Sequence, residues 1–143
     1  EIRPRDWSSD VCSSDLLTTL ASLLSRQRRF ADALGYYERA LARDPNLVSA
    51  LLDLAWILAT GPSGVPAVPA RAVQLAERAN RITVDRDGYQ DPLILETLAL
   101  AYAAGGRLDL AIQTATAALD MAVSGARDDL AASLRARIEE WKR

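Results

Sequence analysis

The sequence contains no histidine, one cysteine (Cys12) and one lysine (Lys142) among its 143 residues. Acid–base and nucleophilic catalysis draw mainly on histidine, cysteine, lysine and paired carboxylates, so only carboxylates and hydroxyls are present in useful number. A single cysteine excludes an intrachain disulfide and says nothing about the redox compartment. We therefore expect a protein that is not an enzyme and that uses no cofactor or metal ion.

Charge and hydropathy argue against two further classes of partner. The chain has 17 lysines and arginines against 19 aspartates and glutamates, and nucleic-acid binding needs a one-sided excess of basic residues. It also lacks a run of about 18 apolar residues, the length that a helix needs to span a bilayer. We expect no nucleic-acid partner and no membrane contact from this part of the protein. The excess of arginine over lysine, together with abundant alanine, is typical of a GC-rich bacterial genome and leaves the localisation unknown.

Residues 1–16 differ from the rest of the chain. Back-translation of residues 6–16 gives a base sequence that resembles a DNA adapter used in short-read sequencing libraries. We interpret residues 1–16 as a non-native, adapter-derived segment joined to a metagenomic fragment, with a native linker rich in serine and aspartate as the alternative. On this interpretation the true N-terminus is missing, and the remaining residues carry 15 basic and 15 acidic side chains.

The rest of the chain contains one helix-hairpin pattern three times. Each copy pairs a helix in which a small residue follows leucine with a second helix that carries facing alanines. Ala21 and Ala55 are 34 residues apart, whereas Ala55 and Ala99 are 44 apart, so about ten residues are inserted. We expect both insertions, ATGPSGVPAVPA within the second hairpin and VDRDGYQD after it, to form loops, because glycine and proline interrupt helices.

This pattern resembles the tetratricopeptide repeat family over residues 17–123. In that family, alanines at the hairpin crossing let two helix backbones approach closely while larger side chains fill the space around them. The matching residues are Leu17, Leu20, Ala21, Leu24, Ala33, Tyr37, Ala40 and Pro45; Leu51, Leu54, Ala55, Leu58, Ala72, Ala76 and Ala79; and Leu95, Leu98, Ala99, Tyr102, Ala111, Ala115 and Ala118. The resemblance implies an all-α, right-handed solenoid of helix hairpins with three repeats, at residues 17–45, 46–84 and 92–123.

Helical periodicity supplies the expected elements. It predicts helices near residues 17–28, 30–43, 46–59, 69–83, 92–104, 108–123 and 127–141. Asp91 before Pro92 predicts a helix start, and Gly105 with Gly106 predicts a helix end. In the last segment, residues 124–143, one apolar stripe is formed by Leu130, Leu134, Ile138 and Trp141. We expect this segment to be a capping helix that covers the last repeat.

Two short motifs allow a ligand-binding interpretation, but a structural one is favoured for each. Asp85, Asp87 and Asp91 are spaced somewhat like a calcium loop, yet the glutamate required at position twelve is absent. A polar loop with helix caps explains them better. The segment GPSGVP lacks the Lys-Ser/Thr pair of a phosphate-binding loop, so we expect a proline-rich hairpin loop.

Family resemblance also implies a binding surface, because the first helix of each tetratricopeptide hairpin lines a concave groove. Trp56 is the strongest candidate, since a rigid apolar face is typical of residues that dominate peptide binding. The alternative is that Trp56 packs under the proline-rich loop or against a neighbouring helix. The candidate groove residues are Ser22, Arg26, Ser49, Leu52, Asp53, Trp56, Leu93, Glu96 and Leu100.

These residues predict a non-catalytic protein–protein interaction module that binds a peptide or protein segment in its groove. Family members that grip a terminal carboxylate use Lys, Asn and Arg at such positions, whereas this chain mostly has Ser, Thr, Leu and Ala. An apolar or mixed segment therefore fits better as the ligand. The alternative is a structural C-terminal appendage of a larger bacterial enzyme. It rests on a similarity of LAWILAT and ARAVQLAERANRIT to multi-domain tetratricopeptide proteins, some with membrane glycosyltransferase-like portions.

Overall fold

The computed structural model describes residues 13–143, which form helices and no strand. The helices are α1 (Ser14–Arg26), α2 (Phe30–Arg43), α3 (Val48–Thr60), α4 (Pro69–Asp87), α5 (Pro92–Ala104), α6 (Leu108–Ser124) and α7 (Asp128–Lys142). Of the segment interpreted as adapter-derived, residues 1–12 lie outside the described residues. Ser13 accepts a hydrogen bond from the Leu16 N–H at 3.3 Å, so the end of that segment caps α1 and forms its first turn.

Several helix ends follow from local sequence, as predicted. The Asp91 side chain accepts a hydrogen bond from the Leu93 N–H at 2.9 Å, and Pro92 occupies the first turn of α5, where its missing N–H is not needed. At the other end of α5, Gly105 is the C-cap and Gly106 has φ 81°, a conformation that glycine adopts without strain. This turn allows α6 to fold back against α5.

Helix α4 extends four residues beyond its predicted end near residue 83. Residues 84–87, which we expected to lie in a loop, continue the helix, and that part of the loop prediction is wrong. The reason is that VDRD contains no residue that stops a helix. Gly88 does stop it, because its φ of 78° is the left-handed conformation that glycine tolerates. The second insertion is therefore shared between an extra helical turn and a short loop.

Three helix hairpins follow one another, α1 with α2, α3 with α4 and α5 with α6, and α7 packs against α6. The alanines predicted at the crossings have no exposed surface. They are Ala21, Ala33, Ala55, Ala72, Ala99 and Ala111. A larger side chain at these places would have to push two helices apart, so the small residues set the distance between them.

The proline-rich loop between α3 and α4 packs against the core. Val65 is buried in the same apolar cluster as Leu58 and Ala72. The Val68 N–H donates to the Leu58 carbonyl at 2.8 Å, which joins the end of the loop to α3. Gly61 ends α3 with φ 55°, and the chain turns there toward the loop. The predicted hairpin loop is thus present, and one apolar side chain holds it down.

Helix α7 covers the end of the third hairpin. Leu134 and Ile138 are buried in one cluster with Leu95 and Ala99, and the partly buried Trp141 packs against that cluster. Two acidic residues, Asp128 and Asp129, occupy the first turn of α7, where the helix dipole favours negative charge. The predicted apolar stripe therefore faces the repeats.

At the opposite end, α1 exposes an apolar face. Leu20 and Leu23 are 40% and 49% exposed. The residues 34 positions later, Leu54 and Ile57, are 0% and 1% exposed, because they pack in one cluster with residues of the first hairpin. The same repeat position is thus buried between two hairpins and exposed where no described hairpin covers it.

Candidate functional site

A cavity of about 320 Å³ lies between the first two hairpins. We call it the α1–α3 cavity; α1, α2 and α3 all contribute to it. Its lining residues are Ser22, Ser25, Arg26, Tyr37, Asp53, Trp56 and Ile57. Four of the predicted groove residues, Ser22, Arg26, Asp53 and Trp56, are brought together here, although they are up to 34 positions apart in the sequence.

A hydrogen-bonded network forms one side of the α1–α3 cavity. The buried Tyr37 hydroxyl donates to Asp53 Oδ2 at 3.0 Å. Ser22 Oγ lies 3.3 Å from the same hydroxyl oxygen. Because a tyrosine hydroxyl has one proton and Asp53 receives it, Ser22 is the donor in the second bond. The network holds the Asp53 carboxylate against Tyr37 of α2 and links it through that hydroxyl to Ser22 of α1.

The Asp53 carboxylate is partly buried, and Arg26 is the one cation among the residues that line its cavity. Burial raises the pKa of Asp53, and the hydrogen bond from Tyr37 offsets part of this rise. Burial also raises the pKa of Tyr37. Among residues 13–143, no lysine or arginine forms an ion pair with Asp53. A partly desolvated anion without a paired cation is costly, so this site favours a positive charge.

Trp56 forms an apolar wall of the cavity. Its side chain is 40% exposed, and its ring centroid lies 6.4 Å from that of Phe30 on α2, with the two rings tilted by 43°. The contact with Phe30 holds the indole on one side while another part of it lines the α1–α3 cavity. Trp56 thus both packs against a neighbouring helix and presents surface to the cavity.

Arg26 and Ser25 complete the lining. Arg26 is exposed in the last turn of α1 and has no ion pair with another described residue. Ser25 Oγ is buried beside the Tyr37 hydroxyl, whose pKa it lowers, but it forms no well-aligned hydrogen bond within residues 13–143. Tyr37 and Ile57 were not among the candidate site residues, and Tyr37 had been assigned to a scaffold position of the repeat. One feature of the sequence could have identified Tyr37 as a site residue: the later repeats have alanine, Ala76 and Ala115, at its position.

The other predicted groove residues lie outside this cavity. Ser49 and Leu93 are exposed near the starts of α3 and α5, whereas Leu52 and Leu100 are half-buried against apolar clusters. Glu96 accepts a hydrogen bond from Ser133 at 3.3 Å and lies 3.5 Å from Arg137 Nε. Helix α7 therefore contacts the first helix of the third hairpin.

Two aspartates of the segment VDRDGYQD, Asp87 and Asp91, make hydrogen bonds with neighbouring residues of the chain. Arg86 donates to both carboxylate oxygens of Asp87, at 2.9 and 2.8 Å, and Asp91 caps α5. Within residues 13–143 no three histidine, cysteine, aspartate or glutamate side chains form a group that could hold a metal ion. No helix in the same range is both long enough and apolar enough to cross a membrane.

Comparison with known proteins agrees with this architecture. Residues 18–64 match the tetratricopeptide repeat. The fold is similar to that of the N-terminal domain of stress-induced protein-1 (STI-1) from C. elegans, with a TM-score of 0.61 and 18% sequence identity, over 91% of this chain and 94% of that chain. No curated protein matches the sequence. The predicted helical solenoid of tetratricopeptide type is confirmed.

Proposed function

We propose that this chain, a tetratricopeptide repeat protein, binds a peptide or protein segment along the first helices of its hairpins. Tetratricopeptide folds generally serve as protein–protein interaction modules and are typically non-catalytic. The observation that carries the proposal is the α1–α3 cavity, where the exposed face of Trp56 stands beside a hydrogen-bonded aspartate. One rigid apolar surface and one oriented polar group are what a side chain of a bound segment needs for affinity and orientation.

Further apolar surface lies near Trp56 and on the next first helix. Leu52 is half-buried on α3, the helix of Trp56, and Leu93 is exposed on α5. A bound segment that starts at Trp56 would find Leu52 on the same helix and Leu93 on the first helix of the next hairpin. Spaced apolar anchors are typical of grooves that take an extended or helical peptide.

A structural appendage of a larger bacterial enzyme, such as a membrane glycosyltransferase-like protein, is the second candidate. In that case a segment of the same protein fills the binding face. The contacts of Ser133 and Arg137 with Glu96 favour this candidate, since α7 already covers a residue that the repeat pattern assigns to the groove. At the α1–α3 cavity, in contrast, the described residues leave Trp56 partly open.

Peptide display tests the first candidate. A library of random dodecapeptides is selected on the immobilised protein, and synthetic copies of enriched peptides are titrated calorimetrically. Trp56→Ala should weaken their binding about thirtyfold or more, equivalent to about 2 kcal/mol, as expected for loss of an aromatic anchor. Tyr89→Ala is the matched control, because Tyr89 is an exposed aromatic residue in the loop before α5 and should not affect binding.

Two outcomes would contradict this proposal. Equal affinity of the wild type and Trp56→Ala would remove the α1–α3 cavity from the binding surface. Failure of the wild type to enrich any peptide beyond the Trp56→Ala background would reject the interaction module and favour the structural appendage.

A further inference from the structure

The tyrosine–aspartate network occurs at only one of the hairpin junctions that the structure describes. Asp53 corresponds in the third repeat to Thr97, whose hydroxyl donates to the Leu93 carbonyl of its own helix at 3.1 Å. Tyr37 corresponds to Ala76 and Ala115 in the later repeats. At the next junction a different pair is joined, since the Tyr102 hydroxyl donates to Glu77 Oε1 at 2.9 Å between α5 and α4. The position of Asp53 itself, however, carries no carboxylate in the third repeat. The acidic group in the α1–α3 cavity is a local addition to the scaffold.

The cavity has the chemistry for a cation. A carboxylate offers about four lone-pair sites, and the hydrogen bond from Tyr37 leaves most of those on Asp53 open. Trp56 offers the ring face over which guanidinium and ammonium groups are attracted. A lysine or arginine side chain can place its stem along the indole and its charge on the carboxylate.

We infer that the α1–α3 cavity binds a basic side chain of the partner segment, arginine or lysine, with its cationic head on Asp53 and its stem on Trp56. This inference rests on the proposed function and adds the chemical class of the residue that enters the cavity. Arginine fits better than lysine, because its planar fork can donate two N–H groups to one carboxylate.

Arg26 should weaken the binding of a cationic side chain, so its replacement tests the charge of the ligand. It lines the cavity mouth, and its charge repels an entering cation. Because Arg26 is exposed, water and salt screen its charge more than that of the partly buried Asp53. Removal of Arg26 should therefore strengthen cation binding, and removal of the Asp53 charge should weaken it. An acidic ligand would show the opposite signs.

The probes are N-acetyl-arginine amide and N-acetyl-citrulline amide, which have nearly the same shape but differ in charge. Binding is followed by NMR through the indole N–H signals of the ¹⁵N-labelled 143-residue chain, in which Trp56→Phe assigns the Trp56 signal. The arginine probe should bind with a dissociation constant on the order of 1 mM. The citrulline probe should bind about tenfold more weakly.

Two variants test whether the ligand of the cavity is positively charged. Asp53→Asn keeps an acceptor for Tyr37 and should reduce the arginine-to-citrulline preference to about one. Arg26→Gln should strengthen binding of the arginine probe about twofold, as expected for an exposed charge. The amide spectrum of each variant reports whether it is folded, and the arginine–citrulline comparison in the wild type holds without any variant.

Equal binding of the two probes to the wild type would overturn the inference. Tighter binding of N-acetyl-glutamate amide that Arg26→Gln weakens would replace it with an acidic ligand. Either result leaves the proposed function standing if display peptides still bind through Trp56. Conversely, a library that yields no peptide rejects the proposed function even if the cavity prefers the arginine probe.

Discussion

Replacing Ala111 by leucine tests the packing on which the groove depends. Ala111 lies on α6, faces α5 and has no exposed surface. Leucine adds three non-hydrogen atoms where two helix backbones approach closely, and overpacking of this kind costs about 1–3 kcal/mol. With a urea m-value of about 2 kcal/mol/M, the unfolding midpoint should fall by roughly 0.5–1.5 M.

Ala117→Leu is the matched control for this prediction. Ala117 lies on the same helix but is exposed, so the same atoms enter solvent. Alanine and leucine have similar helix propensities, and a surface substitution of this kind changes stability by about 0.5 kcal/mol or less. Urea titrations followed by far-UV circular dichroism measure both variants. Equal midpoints for the two variants would show that Ala111 does not set the distance between α5 and α6.

Three further pairs of measurements test separate parts of the structure. Ile57→Ala should lower the free energy of unfolding by about 2–5 kcal/mol, whereas Leu23→Ala, at the equivalent but exposed repeat position, should cost about 1 kcal/mol or less; similar urea midpoints would contradict this. Gly61→Ala should lower the free energy of unfolding by about 1–2 kcal/mol, because φ is 55° and the new Cβ would lie 3.0 Å from Ala67. Gly35→Ala is the control: it has open space in mid-helix, and thermal melts should show a gain of about 0.5–1 kcal/mol. Burial raises the pKa of Asp53, so the stability that this group contributes is fully present below its unfolded pKa and is lost as pH rises through its folded pKa. Asp53→Asn should therefore be more stable than the wild type at pH 7 and should lose that advantage at pH 3. A difference in urea midpoint that does not change with pH would show that folding does not raise the pKa of Asp53.

The helices could be predicted because their signals are local or periodic. Asp91 with Pro92 and Gly105 with Gly106 marked the two ends of α5 correctly. The end of α4 was placed too early because the 34-residue repeat length suggested a loop, whereas no residue of VDRD breaks a helix before Gly88. Repeat length therefore predicted where an insertion occurs but not whether it is helical.

The candidate site was predictable only in part. Repeat positions brought Ser22, Arg26, Asp53 and Trp56 to one face, and the structure places them around one cavity. The bond from Tyr37 to Asp53 could not be read from either residue alone, since it depends on how deep the tyrosine lies between α1 and α3. The contact of Glu96 with α7 was missed for a similar reason: it joins residues 37 positions apart through the docking angle of the last helix.

Intermolecular NOEs in a complex with a display-selected peptide test the central claim most directly. The binding surface is located by transfer from peptide protons to the assigned indole of Trp56 and to the side-chain protons of Leu93, on the first helices of two hairpins. We predict NOEs to Trp56 in every complex and to Leu93 for peptides long enough to reach α5. NOEs confined to exposed residues of the second helices, such as Arg39 or Ala117, would place the binding surface on the other side of the hairpins and contradict the account.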